Sequence, residues 1–132
     1  MTDMRAQLVT ANVRPTRQRL ILARLLFSNG DRHVFAEELH AEAHAAGFPL
    51  SLATVYNTLH YFTLAGLLRE AAIAGGRSCF DTNISNHSHF YNPRRGELLD
   101  ITTDEIRVEG LPSPPAGMRI SHVDVVVHLT AD

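Results

Sequence analysis

Several kinds of residue are scarce or absent in this chain of 132 residues. Its single cysteine, Cys79, has no partner for an internal disulfide, and the chain offers no closely spaced thiol pair for a four-thiolate zinc site. Lysine is absent, so all 12 basic side chains are arginines. Any bound metal therefore depends on histidine and carboxylate ligands.

Long hydrophobic runs are also absent. No stretch reaches the roughly 18 apolar residues that a membrane-spanning helix requires, and the N-terminal MTDMRAQLVT lacks the regions of a signal peptide. The sequence therefore predicts a cytoplasmic protein with no membrane association. Apolar residues make up 45% of the chain and charged residues 20%, which is typical of a globular protein with a buried core.

Charge is distributed unevenly along the chain. Arginines outnumber acids before residue 33, whereas acids outnumber arginines beyond residue 82. The net charge of −2 argues against indiscriminate coating of nucleic acid. A locally basic surface is nevertheless sufficient for contact with one specific DNA site.

The order of predicted elements indicates the fold. Helical spacing of apolar residues and turn signals predict helices over 4–12, from Thr16 to about 28, over 36–46 and over 51–65. LLREAAI and RSCFD, joined by AGG, predict a hairpin, and helices followed by a hairpin are the order of a winged helix-turn-helix. We therefore predict an α+β protein with a winged-helix DNA-binding domain at 1–82.

Short strands are predicted beyond residue 82, in HSHFY, GELLDI and the alternating run MRISHVDVVVHL. Residues 83–132 therefore form a small α/β or β-rich lobe in this prediction. About fifty residues seldom bury enough surface alone, so we expect the lobe to dimerise with its copy from a second chain.

The helix predicted over 51–65 has the composition of a DNA recognition helix. Its buried stripe is Val55, Leu59 and Phe62, whereas its other side carries small or hydrogen-bonding groups and no acid. An ordinary packed helix is the alternative, but nearby arginines suit phosphates and Asn57 suits adenine in an A·T-containing operator. The predicted DNA-contacting residues are Arg14, Arg17, Arg19, Ser51, Thr54, Tyr56, Asn57 and Arg77.

His87 and His89 are candidate metal ligands. Residues i and i+2 of a strand project from one face, so both imidazoles could reach the same ion. The alternative is two partly exposed histidines in a polar strand, and further ligands are needed to exclude it. The candidates are His33 in the turn before the third helix, Asp81 and Asp100, and such a mixed set suits Fe(II), Mn(II) or Zn(II).

Six segments together resemble the ferric uptake regulator family, in order and over nearly the whole chain. They are RPTRQRLIL, RHVFAEELH, SLATVYNTLHYFTLAGLLRE, SCFDTN, HSHFY and LLDI. SLATVYNTL and DTNISNHSHFY are most similar to the iron response regulator branch. The resemblance implies a homodimeric transcription regulator that responds to metal or haem and binds a near-palindromic operator in double-stranded DNA.

The resemblance also assigns a set of ligands, which we call the five-ligand site. It implies that His33, Asp81, His87, His89 and Asp100 hold one divalent metal per chain and tie the two domains together. Haem binding through His87 and His89 is implied by the branch, although Ser88 interrupts its run of three histidines.

Three departures from the family pattern carry further expectations. The cysteines of a structural zinc site are missing, and Asn86, Ser88 and Arg107 stand where a second site often has ligands. We therefore expect one metal per chain. Asn57 stands where many relatives carry arginine, which predicts a different operator.

Two other functions stay open at this point. A His and carboxylate iron site also occurs in non-haem oxygenases, but the chain shows no cofactor fingerprint or nucleophile arrangement. A regulator of the same family could instead detect peroxide through oxidation of a histidine ligand such as His33 or His87.

Overall fold

The computed structural model describes residues 3–73, 77–85, 87–101 and 106–132. The chain divides into two units, Met1–Ile84 and Ser85–Asp132. The division lies slightly beyond the predicted boundary at residue 82. The predicted turn at 74–76 and Asn86 lie outside the described residues. Within the described ranges, every helix is too short or too polar to cross a membrane.

The described part of the first unit contains helices followed by a small antiparallel sheet. Its elements are α1 (Met4–Thr10), α2 (Arg17–Phe27), β1 (His33–Phe35), α3 (Ala36–Ala45), α4 (Leu52–Leu64), β2 (Arg69–Ile73) and β3 (Arg77–Asp81). The strands lie in the order β1-β3-β2. This arrangement confirms the predicted α+β class with a winged helix at the N-terminus.

Side-chain hydroxyls begin two of these helices. The Thr16 hydroxyl accepts a hydrogen bond from the Arg19 N–H at 3.3 Å, at the start of α2. The Ser51 hydroxyl accepts one from the Thr54 N–H at 3.1 Å, at the start of α4. Each cap satisfies an N–H group that has no partner inside the helix, as the sequence predicted.

The core of the first unit is formed by the apolar sides of its helices. Val55, Leu59 and Phe62 of α4 are each 0% exposed, because their spacing places them on one side of the helix. They pack in one cluster with residues of the other elements, including Leu8, Leu22, Leu26, Leu39, Ala43 and Phe80. The predicted buried stripe is therefore confirmed, and its burial sets which side of α4 faces outward.

Strand β1 corrects the prediction for His33. This residue does not lie in a turn but begins β1, where it pairs with Asp81 of β3. The pairing extends one residue further, because the Arg32 N–H donates to the Thr82 hydroxyl at 2.8 Å and the Thr82 N–H donates to the Arg32 carbonyl at 3.1 Å. The strand is only 3 residues long, which is too short for a pattern of alternation to reveal.

Arg32 also joins two helices of the first unit. Its guanidinium donates to both carboxylate oxygens of Glu42 in α3, at 2.8 and 2.6 Å, and to the Leu25 carbonyl of α2 at 3.3 Å. The hydrogen bonds raise the pKa of Arg32 and lower the pKa of Glu42, so the pair stays charged at neutral pH. The chain entering β1 is therefore fixed to the helices beside it.

The described part of the second unit is a sheet of three strands. β4 (Ser88–Asn92) lies between β5 (Glu97–Ile101), which is antiparallel to it, and β6 (Val126–His128), which is parallel to it. The strands predicted in HSHFY and GELLDI are thus confirmed, and the structure shows that they pair as an antiparallel hairpin. A strand also forms in MRISHVDVVVHL, but it covers only residues 126–128 of the run, with one further backbone hydrogen bond to β4 from each flanking residue, 125 and 129.

Cys79 lies in β3 and is 1% exposed, as expected for a small apolar side chain. Burial raises the pKa of its thiol to about 12, so the reactive thiolate is nearly absent at neutral pH. We expect a thiol reagent such as dithionitrobenzoate to modify the folded protein at least about 100-fold more slowly than the urea-unfolded protein.

A variant with Cys79→Ser and Ser28→Cys is the matched control, because residue 28 is exposed just after α2. Its thiol should react at similar rates in the folded and unfolded chains. Rapid modification of Cys79 in the folded wild-type protein would show that the strand opens far more readily than its burial indicates.

Candidate functional site

The outward side of α4 carries the side chains expected of a recognition helix. Ala53, Asn57 and His60 are exposed and Thr54 is half-buried, on the side opposite the buried stripe. Asn57 offers an amide donor and an amide acceptor, the pair that matches the major-groove edge of adenine. The helix therefore presents a polar, uncharged surface on a side fixed by core packing.

The N-terminal end of α4 is ordered by two hydroxyls. Besides capping the helix, the Ser51 hydroxyl donates to the Thr54 hydroxyl oxygen at 2.9 Å. Both residues are predicted DNA contacts, and both lie where helix N–H groups also favour phosphate. Their mutual hydrogen bond holds them in one arrangement before any contact forms.

Tyr56 is held by a residue of the preceding helix. Its hydroxyl donates to the Glu37 carboxylate of α3 at 3.1 Å, and this hydrogen bond raises the pKa of Tyr56. The phenol therefore stays protonated at neutral pH. Its ring stacks on His60 one turn later, with centroids 6.3 Å apart, so the direction of the ring is fixed from two sides.

The end of α4 contacts the hairpin that forms the wing. His60 Nδ1 lies 3.3 Å from the Glu70 carboxylate of β2, and its ring meets Phe80 of β3 edge-on at 5.5 Å. The Arg77 guanidinium of β3 lies over the Phe35 ring at 3.7 Å. His60 therefore connects the end of α4 to both strands of the hairpin.

The three arginines predicted near α2 differ in their surroundings. Arg14 and Arg17 are exposed. Arg19 is half-buried: its guanidinium donates to the Arg14 carbonyl at 2.8 Å and lies over the Tyr61 ring at 4.2 Å. The structure thus gives Arg19 a structural contact that the sequence did not predict, in which it joins the start of α2 to α4.

Two of the predicted metal ligands lie together in the first unit. His33 and Asp81 are paired across β1 and β3, with His33 Nε2 3.2 Å from Asp81 Oδ2. The Asp81 side chain is 4% exposed, and its other oxygen accepts the Asn83 N–H at 2.8 Å. A carboxylate buried to this degree requires such partners, because leaving water without them is costly.

The other three predicted ligands lie together in the second unit. Asp100 Oδ1 is 3.2 Å from His87 Nε2 and 3.2 Å from His89 Nε2, and the two rings have centroids 4.4 Å apart. Register explains the convergence, because His89 and Asp100 are directly opposite each other across β4 and β5. The HxH pattern thus places both imidazoles over one carboxylate oxygen.

A backbone contact shows which nitrogen of His87 is suited to a metal. His87 Nδ1 lies 2.7 Å from the Ser85 carbonyl oxygen. A carbonyl only accepts, so Nδ1 carries the proton in this contact and, in the neutral ring, Nε2 keeps its lone pair. That lone pair lies 3.2 Å from the carboxylate oxygen, so the two atoms could serve as neighbouring ligands of one cation.

The donor set fits the metals named from the sequence. Each group offers imidazole nitrogen and carboxylate oxygen, and in each group the ligand atoms lie within 4.8 Å of one another. Imidazole with carboxylate suits Fe(II), Mn(II) or Zn(II), whereas a thiol-rich site would be needed for a closed structural zinc site.

The sequence did not indicate which residues position the side chains of α4 and the start of β1. Glu37 and Glu70 hold Tyr56 and His60 of α4, and Arg32 holds the start of β1 to α2 and α3. No local spacing indicates such tertiary contacts. The convergence on Asp100 carried a usable signal, since pairing HSHFY with GELLDI as a hairpin places Asp100 beside His89.

Taken together, a winged helix with a polar recognition helix, followed by a β-rich unit, defines a DNA-binding regulator of transcription. The model of the ferric uptake regulator family matches residues 10–128, and the chain belongs to this family. Its members are transcription regulators and not enzymes, so the enzyme alternative does not hold for this chain.

Relatives of two kinds are similar to the chain over most of their length. The ferric uptake regulation protein of Shigella flexneri is 31% identical over 124 residues, covering 92% of this chain and 84% of the relative. The peroxide-responsive repressor PerR of Staphylococcus aureus is 32% identical over 119 residues, covering 89% and 79%. Both regulator types are therefore represented among the relatives.

Solved structures share the fold at lower identity. The ferric uptake regulator of Vibrio cholerae aligns with a TM-score of 0.77 and 24% identity, covering 98% of this chain and 100% of that one. The ferric uptake regulator of Pseudomonas aeruginosa, solved with manganese, aligns with a TM-score of 0.73, 24% identity and coverage of 98% of each chain.

Proposed function

We propose that this chain is a homodimeric, sequence-specific regulator of the iron response branch, whose operator affinity depends on one divalent metal per chain or on haem. The observation that carries the proposal is the Asp100 oxygen shared by His87 and His89, at 3.2 Å from each. Binding to operator DNA places the protein in the cytoplasm. No enzymatic activity is proposed.

The five-ligand site is proposed as the sensing site. His33 and Asp81 supply two donors from the first unit, and His87, His89 and Asp100 supply three from the second. Covalent connection supports their joint use, because the residues 82–86 that separate Asp81 from His87 span at most about 20 Å when extended. A bound divalent ion would supply the positive charge that suits each of these two groups of donors.

The outward side of α4 is proposed as the DNA-reading surface. Asn57, Tyr56 and Thr54 would contact base edges, and their polar, uncharged chemistry suits an A·T-containing operator. Arg14, Arg17 and Arg77 would contact phosphates around it. Ser51 would contact DNA from the N-terminus of the helix, and Arg19 would act mainly by holding α2 against α4.

The second unit supports dimerisation. Phe90 of β4 is paired with Leu99 of β5 and with Val127 of β6, so the three side chains form a row on one face of the sheet. Phe90 is 37% exposed and Leu99 is 40% exposed. A second copy placed over this row would bury it, and a two-fold pair of reading helices requires a near-palindromic operator.

The test compares two substitutions on a panel of operator sequences selected from random DNA. Asn57→Ala should cost about 1–3 kcal/mol at the A·T pair it reads and relax the preference there. Arg17→Ala should instead weaken binding to all sequences alike. It should also reduce the slope of log Kd against log salt concentration by about 1 for the phosphate contact that is lost. An unchanged base preference in Asn57→Ala would exclude Asn57 as a base-reading residue.

A peroxide-responsive regulator is the second candidate, favoured by the 32% identity to the Staphylococcus aureus repressor. Elemental analysis and a haemin absorbance titration of the purified protein, each with and without operator, separate iron from haem. Mass spectrometry after peroxide treatment distinguishes a peroxide-responsive regulator from an iron-responsive one. Addition of one oxygen atom to His33 or His87 would favour peroxide sensing, and unmodified ligands with an iron-dependent operator affinity would favour the iron response.

A further inference from the structure

Two imidazoles project from the outer side of α3. The rings of His40 and His44 have centroids 5.3 Å apart and meet edge-on, with an interplanar angle of 67°. His40 is half-buried and His44 is exposed. Their separation of four residues places them one turn apart on the same side of the helix.

The helix beneath them is firmly held. Ala36, Leu39 and Ala43 on its other side are each 0% exposed in the core of the first unit. The bidentate pair of Arg32 with Glu42 fixes the middle of the helix. The spacing of the two histidines is therefore set by a rigid element, which is what a chelate requires.

We propose that His40 and His44 form a second cation site, which binds Zn²⁺, Ni²⁺ or Cu²⁺ through one nitrogen of each imidazole, with water completing the coordination. Two histidines at i and i+4 of a helix are a known zinc-binding arrangement. Imidazole prefers these borderline cations, and affinity should follow the order Cu²⁺ above Ni²⁺ and Zn²⁺, with Mn²⁺ weakest.

Neighbouring acidic side chains add negative charge that favours a cation, but they do not serve as its ligands. Glu37 lies three residues before His40 on the same side of α3 and adds negative charge there. Its carboxylate accepts the Tyr56 hydroxyl at 3.1 Å, and Glu42 is engaged by Arg32, so neither is needed as a ligand. The proposed site shares no ligand with the five-ligand site and is independent of the proposed function.

The test compares three chains by titration calorimetry in Cu²⁺ or Ni²⁺, with a fourth chain, carrying His87→Ala and His89→Ala, as a further control. The first is wild type, the second carries His40→Ala with His44→Ala, and the third carries His44→Ala with Ala45→His. The third keeps both histidines but turns one roughly 140° around the helix from the other. Ala45 is exposed, so the shifted imidazole is accommodated at the surface.

Wild type should bind about one equivalent more than either variant, and its Tm should rise further with Ni²⁺. Circular dichroism should show equal helicity, because alanine favours helices. Equal binding by wild type and the shifted variant would overturn the proposal, as would loss of the same equivalent in a chain carrying His87→Ala and His89→Ala. The chain carrying His87→Ala and His89→Ala should lose the equivalent bound at the five-ligand site and keep the equivalent bound by His40 and His44.

Discussion

Replacing His87 and His89 together by alanine is expected to weaken binding of a divalent metal by at least about 100-fold and to abolish the metal dependence of operator binding. Both imidazoles direct Nε2 at Asp100 Oδ1 from 3.2 Å, so the double change leaves a carboxylate without its nitrogen donors. The measurements are a metal competition titration and a gel-shift series over metal concentration.

The dimer should survive this change. The ladder between β4 and β5 uses backbone groups and remains when side chains are shortened. Light scattering should therefore give the same mass for the variant and wild type. An operator affinity that still responds to metal in the double variant would remove the five-ligand site from the mechanism.

His122→Ala is the matched control within the same unit. His122 Nε2 lies 3.4 Å from Asp124 Oδ2, so it also forms a pair of imidazole and carboxylate. It is exposed, and no second imidazole converges on the same carboxylate among the metal-binding groups of the described residues. We expect its replacement to leave metal affinity within about twofold of wild type.

Phe62→Ala should lower the free energy of unfolding by about 3–5 kcal/mol. Phe62 is 0% exposed at the centre of the first unit, and its ring contacts Phe27 of α2 with centroids 6.2 Å apart. Removing the ring takes apolar surface out of the core and leaves a cavity between α2 and α4. Urea unfolding followed by circular dichroism measures the change.

Leu64→Ala tests whether the loss comes from burial. Leu64 lies in the same helix but is 89% exposed, so its replacement should change stability by less than about 0.5 kcal/mol. Operator binding should fall in Phe62→Ala in proportion to the unfolded fraction. A loss below about 1 kcal/mol in Phe62→Ala would mean that the core relaxes around the missing ring.

The parts of this molecule that sequence could predict are those in which local pattern and tertiary environment agree. Val55, Leu59 and Phe62 repeat with the helical period, and Thr16 and Ser51 precede helices as hydroxyl caps. In each case the physical cause lies within a few residues of the sequence. The winged helix therefore followed from the order of its elements, before any tertiary contact was known.

Elsewhere the cause lies in distant residues. β1 exists because His33, Val34 and Phe35 meet β3, about 46 positions later in the chain. The alternating run at 118–129 has strong strand propensity, yet only residues 126–128 of it form a strand along β4. Propensity alone could indicate neither outcome, since a strand forms only where backbone partners are present.

The residue types of the candidate metal ligands could be predicted from the sequence, and the resemblance implied the full set. The contacts that orient these ligands could be predicted only in part. The HxH spacing predicted the shared direction of His87 and His89. The role of Ser85, whose carbonyl oxygen lies 2.7 Å from His87 Nδ1, depends on the path of the chain and has no sequence signal.

The two hydrogen bonds between Arg32 and Thr82 affect the conformational entropy that is lost when an ion binds. Two hydrogen bonds, at 2.8 and 3.1 Å, close the ladder immediately beside His33 and Asp81. These two donors are thus preorganised by backbone pairing, and capturing an ion there would forfeit little conformational entropy.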